Sequence, residues 1–189
     1  MAAIKNISAK GGGNITIAFL LSILIPAIGY YYLGTLYALF AVGYLGGFIF
    51  WLYIPSRTKW PLLRAPFWST MFAFLFLHKV EENRMNFFKV VSEKITGGTV
   101  PEISLGLVAG MLVLPIGIWL SIPLLIKRRH ELGYFAIWTL FISMGFTELA
   151  HFYFPFLING PYKYFPGMAS VVVLAPLAWW GIWRLIKKT

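Results

Sequence analysis

The sequence predicts an all-α fold: a polytopic transmembrane bundle of six helices with both termini in the cytoplasm. Of 189 residues, 59% are hydrophobic and 19% aromatic, with a mean hydropathy of +0.76, whereas a soluble domain has nearly half its residues apolar and about a quarter charged. The uncharged stretches are long enough to be counted in bilayer crossings of about 20 residues each. The net charge of +10 falls in short basic clusters between those stretches. That is the pattern of cytoplasmic loops and anionic head-group contact, not of nucleic-acid binding. The lack of cysteine excludes a disulfide framework, a thiolate metal site and a cysteine nucleophile.

Residues 1–13, with Lys5, Lys10 and a triple glycine, read as a retained cytoplasmic tail, because the following apolar run is too long for a signal-peptide core and has no small-residue cleavage site. The 46 uncharged residues between Lys10 and Arg57 form a hairpin of two crossings over 14–56. Its turn is expected near Tyr32-Leu33-Gly34-Thr35. Pro26 should kink the first helix, and Gly43, Gly46 and Gly47 give the second a face that another helix can approach closely. The remainder, 57–189, reads as a four-helix membrane domain. Pro55 to Pro66 is expected to be a loop. Only 14 uncharged residues separate Arg64 from Lys79, so helix 3 must either run on to about Phe88 or start earlier, with Arg64 reaching the head groups. Lys89 to Glu102 reads as a loop whose first part can extend helix 3, Ser104 to Ile126 as helix 4, and Lys127 to Glu131 as a tight charged turn that includes a solvated His130. Helix 5 is expected over Gly133 to Phe154, a Gly/Pro-rich loop over Asn159 to Gly167, and helix 6 over Met168 to Ile186. Six crossings place eleven Lys and Arg on one side and five on the other, which makes the richer side cytoplasmic.

All six acidic residues are Glu, and three of them stand beside histidines behind apolar runs. These are His78-Lys79-Val80-Glu81-Glu82 and Thr147-Glu148-Leu149-Ala150-His151. An ionisable group deep in a bilayer costs about 2.5–3.5 kcal/mol even on the lenient insertion scale, so such groups are paired and functional. His78, Glu81 and Glu82 stand at i, i+3 and i+4, and Glu148 and His151 at i and i+3, so each set shares a helix face. Both motifs fall at a similar depth, in the outer third. Glu-x-x-His on bundle helices is how dimetal carboxylate proteins supply ligands, although a single ion needs only three or four. The expected metal ligands are His78, Glu81, Glu148 and His151, holding a divalent ion such as Zn²⁺ or Fe²⁺. Glu82 is the expected proton carrier, and Arg84 the group that keeps Glu81 ionised. The alternative is structural: Glu81 or Glu82 pairs with Lys79, Arg84 or Lys89, and His151 bonds a carbonyl freed by Pro155. Trp179, Trp180 and Trp183 read mainly as interfacial anchors.

His78-Lys79-Val80-Glu81-Glu82, the later His151, and Tyr164-Phe165-Pro166-Gly167 before an apolar run together resemble the HXXEE family of small membrane proteins. The likeness covers roughly Phe67 to the C-terminus and leaves the first two helices outside. It implies a polytopic protein with a shared polar site and supplies no substrate.

The expected function is that of a metal-dependent enzyme in the plasma membrane, with its site toward the outer leaflet, acting on a lipid or isoprenoid that arrives from the bilayer. Two other readings stand beside it: a metal-free acid–base isomerase of a sterol-like lipid, and a non-catalytic proton-coupled carrier.

Overall fold

The structure, a computed structural model, describes residues 10–34, 37–55, 57–97 and 104–187. Those residues are helical throughout the bundle and include no strand. Helix α1 is Gly12–Leu33 and α2 is Tyr37–Tyr53. Helix α3, residues 60–84, is α-helical over Trp60–Phe72, π-helical over Ala73–His78 and α-helical again over Lys79–Arg84. A short α4, Phe87–Val91, runs into a second π turn, Ser92–Thr96. Then come α5 (Leu105–Lys127), α6 (Glu131–Leu157) and α7 (Met168–Ile186). Four helices, α1, α5, α6 and α7, are long and apolar enough to cross a membrane. Of the expected tail and loops, residues 1–9, Thr35 and 98–103 lie outside the described residues.

The bundle is built round α6. From Gly133 to Gly145 every α6 residue is buried, and a helix that is apolar on all sides has to be enclosed by others. Helices α2, α5 and α7 pack on it. The approach of α2 depends on its glycines. A Cβ at Gly47 would stand 2.6 Å from the Thr139 backbone, and one at Gly46 would stand 3.1 Å from Ile142. The hairpin therefore shares one core with the rest of the chain, with Tyr44 and Trp51 packed among Phe135, Trp138 and Trp119.

Several boundaries differ from expectation, among them the expected loop from Lys89, which is helical as far as Thr96. Residues 60–66 are helix and not loop: Pro61 sits in the first turn, where its missing N–H leaves no bond unmade. Of the two alternatives for helix 3, the early start holds, and Arg64 is exposed. The helix ends at Arg84, before Phe88, because Asn86 turns left-handed at φ 53°, a conformation that Asn tolerates.

One end of the bundle is tied by charge. Glu131 at the start of α6 pairs with Arg57 and, at 3.6 Å, with Lys10. Burial lowers the pKa of the Lys10 ammonium, and Glu131 pulls it back. Nearby, Tyr134 donates to the Thr58 carbonyl, and the Thr58 hydroxyl donates to the Arg184 carbonyl at 3.0 Å. The start of α1, the α2–α3 loop, the start of α6 and the end of α7 thus gather on one face. The His/Glu residues lie toward the other.

Candidate metal centre

The His/Glu stretches come together where α3 and α6 both depart from regular helix. In α3 the turn before His78 is π-helical, closed by the Lys79 N–H on the Phe74 carbonyl. In α6 the α-helix stops at Phe146, and a 3-10 turn, Thr147–Leu149, carries Glu148 inward. The Trp179 indole donates to the Gly145 carbonyl at 2.7 Å beside that break. Trp179 is therefore more than the interfacial anchor expected of it.

Four side chains converge: His78, Glu82, Glu148 and His151, with one ligand atom from each, all within 4.8 Å of one another. His78 Nε2 lies 3.3 Å from Glu82 Oε1 and 3.1 Å from Glu148 Oε2, and His151 Nε2 lies 3.5 and 3.2 Å from the same two atoms. Nitrogen and oxygen alternate round this ring. The four edges lie near the roughly 3.3–3.6 Å spacing of ligands about 2.0–2.2 Å from a tetrahedral ion, whereas separations of up to 4.8 Å across the ring are wider, so a tetrahedral ion would need the side chains to close in. The side chains are buried, at 0% exposure for His78, 3% for His151, 8% for Glu82 and 16% for Glu148.

The outer hydrogen bonds settle which ring nitrogens carry protons. His151 Nδ1 faces the Pro166 carbonyl at 2.5 Å. A carbonyl only accepts, so this Nδ1 holds a hydrogen. His78 Nδ1 stands 3.0 Å from Ser170 Oγ, which also lies 3.1 Å from the Gly167 carbonyl; with the hydroxyl hydrogen on that carbonyl, His78 donates through Nδ1 too. With neutral rings, both Nε2 lone pairs then point at carboxylate oxygens, four acceptors facing one another. His78 Nε2 is buried with no hydrogen-bond partner. Such an arrangement requires a cation between the groups, either a metal ion or additional protons. Lys79 Nζ, 2.5 Å from Glu82 Oε2, offsets one carboxylate and leaves the other uncompensated.

Of the expected ligands, His78, Glu148 and His151 are in the ring and Glu81 is not. Glu82 takes that place. Adjacent helix residues point about 100° apart, so Glu81 and Glu82 cannot both face one centre, and the i, i+4 partner of His78 is the one that does. Glu81 turns instead to the start of α7. Its carboxylate accepts from the backbone N–H groups of Gly167, Ala169 and Ser170 at 3.1, 3.3 and 2.8 Å and from the Tyr164 hydroxyl. A carboxylate at a helix N-terminus satisfies donors that otherwise have no partner. These amides and the phenol hold Glu81. Arg84, expected in that role, is exposed and makes no ion pair among the described residues.

Ser170, Pro166 and Lys79 were not among the expected site residues. A backbone carbonyl such as that of Pro166 has no sequence signature. The Pro-Gly pair just before a helix is the nearest signal, and Gly167 sits at φ 96° with its Cα hydrogen against the His151 ring, where a Cβ would collide. The Lys79–Glu82 pair is the one contact that the structural alternative anticipated. Compared with known proteins, the chain matches no family model, no curated protein and no solved structure.

Proposed function

We propose that the chain is a six-span membrane metalloenzyme with both termini cytoplasmic, related to the HXXEE proteins, which holds one divalent ion, Zn²⁺ or Fe²⁺, and acts on a lipid or isoprenoid substrate. One observation carries the reading: two imidazoles whose Nδ1 hydrogens are already used present their Nε2 lone pairs to two carboxylate oxygens across an enclosed ring. His78, Glu82, Glu148 and His151 would bind the ion, and Ser170 and Pro166 would orient the two rings. When bound, such an ion supplies Lewis acidity to a substrate oxygen or to water. Lys79, on the outer oxygen of Glu82, would exchange a proton with the centre. The six-span topology is supported by the charged face that joins Lys10, Arg57, Glu131 and the Arg184 carbonyl at one end. On this proposal the positive-inside rule makes that end cytoplasmic and the centre would lie toward the outer leaflet; the plasma membrane is the proposed location.

A metal-free reading keeps one foothold. His151 Nε2 and Glu148 Oε2, at 3.2 Å, make an acceptable hydrogen bond if the ring is an imidazolium. His151 would then be the acid, and a carboxylate the base, of a double-bond shift. Elemental analysis of detergent-purified protein separates the two readings. The metal reading expects about one equivalent of divalent ion in wild type and little in His78→Ala or Glu82→Gln. Wild type that takes up no metal from excess Zn²⁺ or Fe²⁺ rejects it in favour of acid–base chemistry.

A further inference from the structure

We infer that the seam between α3 and α7 is the binding cleft for a long-chain lipid with an anionic phosphate head, seated so that its head lies beside the His/Glu centre. This rests on the enzymatic reading above and names its substrate class. Two adjoining cavities of about 570 and 510 Å³ share Phe76, Leu77 and Val173 as a common wall. The first is apolar, bordered by Trp68, Met71, Phe72, Leu75, Leu120 and Leu177. The second carries the polar groups Glu81, Arg84, Tyr164 and Ser170. From Trp68 to Arg84 the cleft follows α3 for roughly 24 Å at 1.5 Å per residue, longer than one bilayer leaflet of about 15 Å. It faces outward: Phe72 and Phe76 are 58% and 60% exposed, so a hydrocarbon chain can enter sideways from the bilayer.

The polar end selects the head group. Glu81 is occupied by three backbone N–H groups and the Tyr164 hydroxyl. Arg84 is left as the cation at the mouth, exposed and without an ion pair among the described residues. A guanidinium fork binds phosphate oxygens two at a time, and it does so more strongly than it binds a neutral hydroxyl. Ser170 joins the cleft to the centre, because it lines the polar end and its Oγ accepts from His78. A head held by Arg84 therefore rests one side chain away from the His/Glu ring.

Oleyl phosphate, oleyl alcohol and inorganic phosphate, titrated against purified protein in a neutral detergent with thermal unfolding as readout, test the inference on wild type, Arg84→Gln and Val173→Trp. Both substituted residues are exposed, so neither change disturbs the core. The expected result is that oleyl phosphate binds wild type at least about tenfold more tightly than oleyl alcohol. Arg84→Gln should erase that preference, Val173→Trp should weaken both lipids, and inorganic phosphate should give no shift. Equal binding of the two lipids means a groove filled by any lipid. A shift from inorganic phosphate alone means a surface anion site, and a preference that survives Arg84→Gln removes the head-group contact. Each of these overturns the inference. Metal content measured on the same samples separates the two readings. Protein that keeps the head-group preference without binding metal upholds the cleft and rejects the metal centre, whereas metal-replete protein with no preference rejects the cleft alone.

Discussion

Neighbouring carboxylates of one motif are predicted to fail in opposite ways when neutralised. In Glu81→Gln the side chain keeps one acceptor oxygen, which in the Oε1 place still serves Gly167, Ala169 and Tyr164, but its amide group turns N–H donors toward the Ser170 N–H. One bond, that from Ser170, is lost outright, and the other three lose their charge assistance. Charge-assisted bonds contribute about 1.5–3 kcal/mol each when well buried. Glu81 is only half-buried, so the expected destabilisation is about 1–3 kcal/mol, a fall in thermal midpoint on the order of 5 °C. The ring of ligand atoms stays intact, and at saturating metal the variant should still hold about one equivalent. Glu82→Gln removes an anionic ligand and leaves Lys79 without its partner, so bound metal should fall at least about tenfold. Metal analysis and detergent-phase unfolding on the same preparations provide the comparison. If Glu81→Gln is stripped of metal at unchanged stability while Glu82→Gln stays loaded, the assignment of the two residues is wrong.

His78→Ala and His151→Ala should each remove most bound metal, and the double variant should lose little more. Stability losses that sum to within about 0.5 kcal/mol would instead mean two independent pairs. Ser170→Ala leaves His78 Nδ1 without its acceptor and should weaken metal affinity roughly 10–100-fold while the chain stays folded, measured by competition with a chelator. Gly47→Ala pushes a methyl into the Thr139 backbone and should cost about 1–3 kcal/mol in unfolding. Gly117→Ala meets nothing within 4 Å and should fall within about 1 kcal/mol of wild type.

The glycines Gly43, Gly46 and Gly47 make a close helix approach to α2 legible, but not which helix approaches: α1, α5 and α6 all have long uncharged stretches, and of these only α6 is largely enclosed. The pairing of His78 with Glu82, and of Glu148 with His151, is legible as helical spacing. Charge gaps could not place the start of α3, because a proline in the first helical turn looks the same in sequence as one in a loop. Nor could they tell Glu81 from Glu82. That choice depends on the angle between consecutive helix positions and on what stands opposite each, and the start of α7 opposite Glu81 is brought there only by tertiary structure. Ser170 sits in an apolar helix, where a lone hydroxyl usually bonds its own backbone. Ser170 does so too, to Gly167, and accepts from His78 as well.

Both ligand-bearing helices leave regular geometry at the ligands, with a π turn ending at His78 and a 3-10 turn holding Glu148. In a bilayer, irregular backbone persists only where protein or a water-filled cavity satisfies the freed groups. Here the protein does so, since Trp179 donates to the Gly145 carbonyl and the Lys79 N–H closes on Phe74. Such turns cost stability and are frequent at functional sites, although two further π turns, Ser92–Thr96 and Ala109–Val113, carry no residue of the cluster. A purely structural pair of His–Glu contacts would need neither, because i, i+3 and i, i+4 partners already meet on an undisturbed helix. What the two turns add is convergence between helices: they bring a carboxylate from α6 within 3.1 Å of the α3 histidine and a carboxylate from α3 within 3.5 Å of the α6 histidine. Those cross-helix contacts are the reason to treat the four residues as one centre.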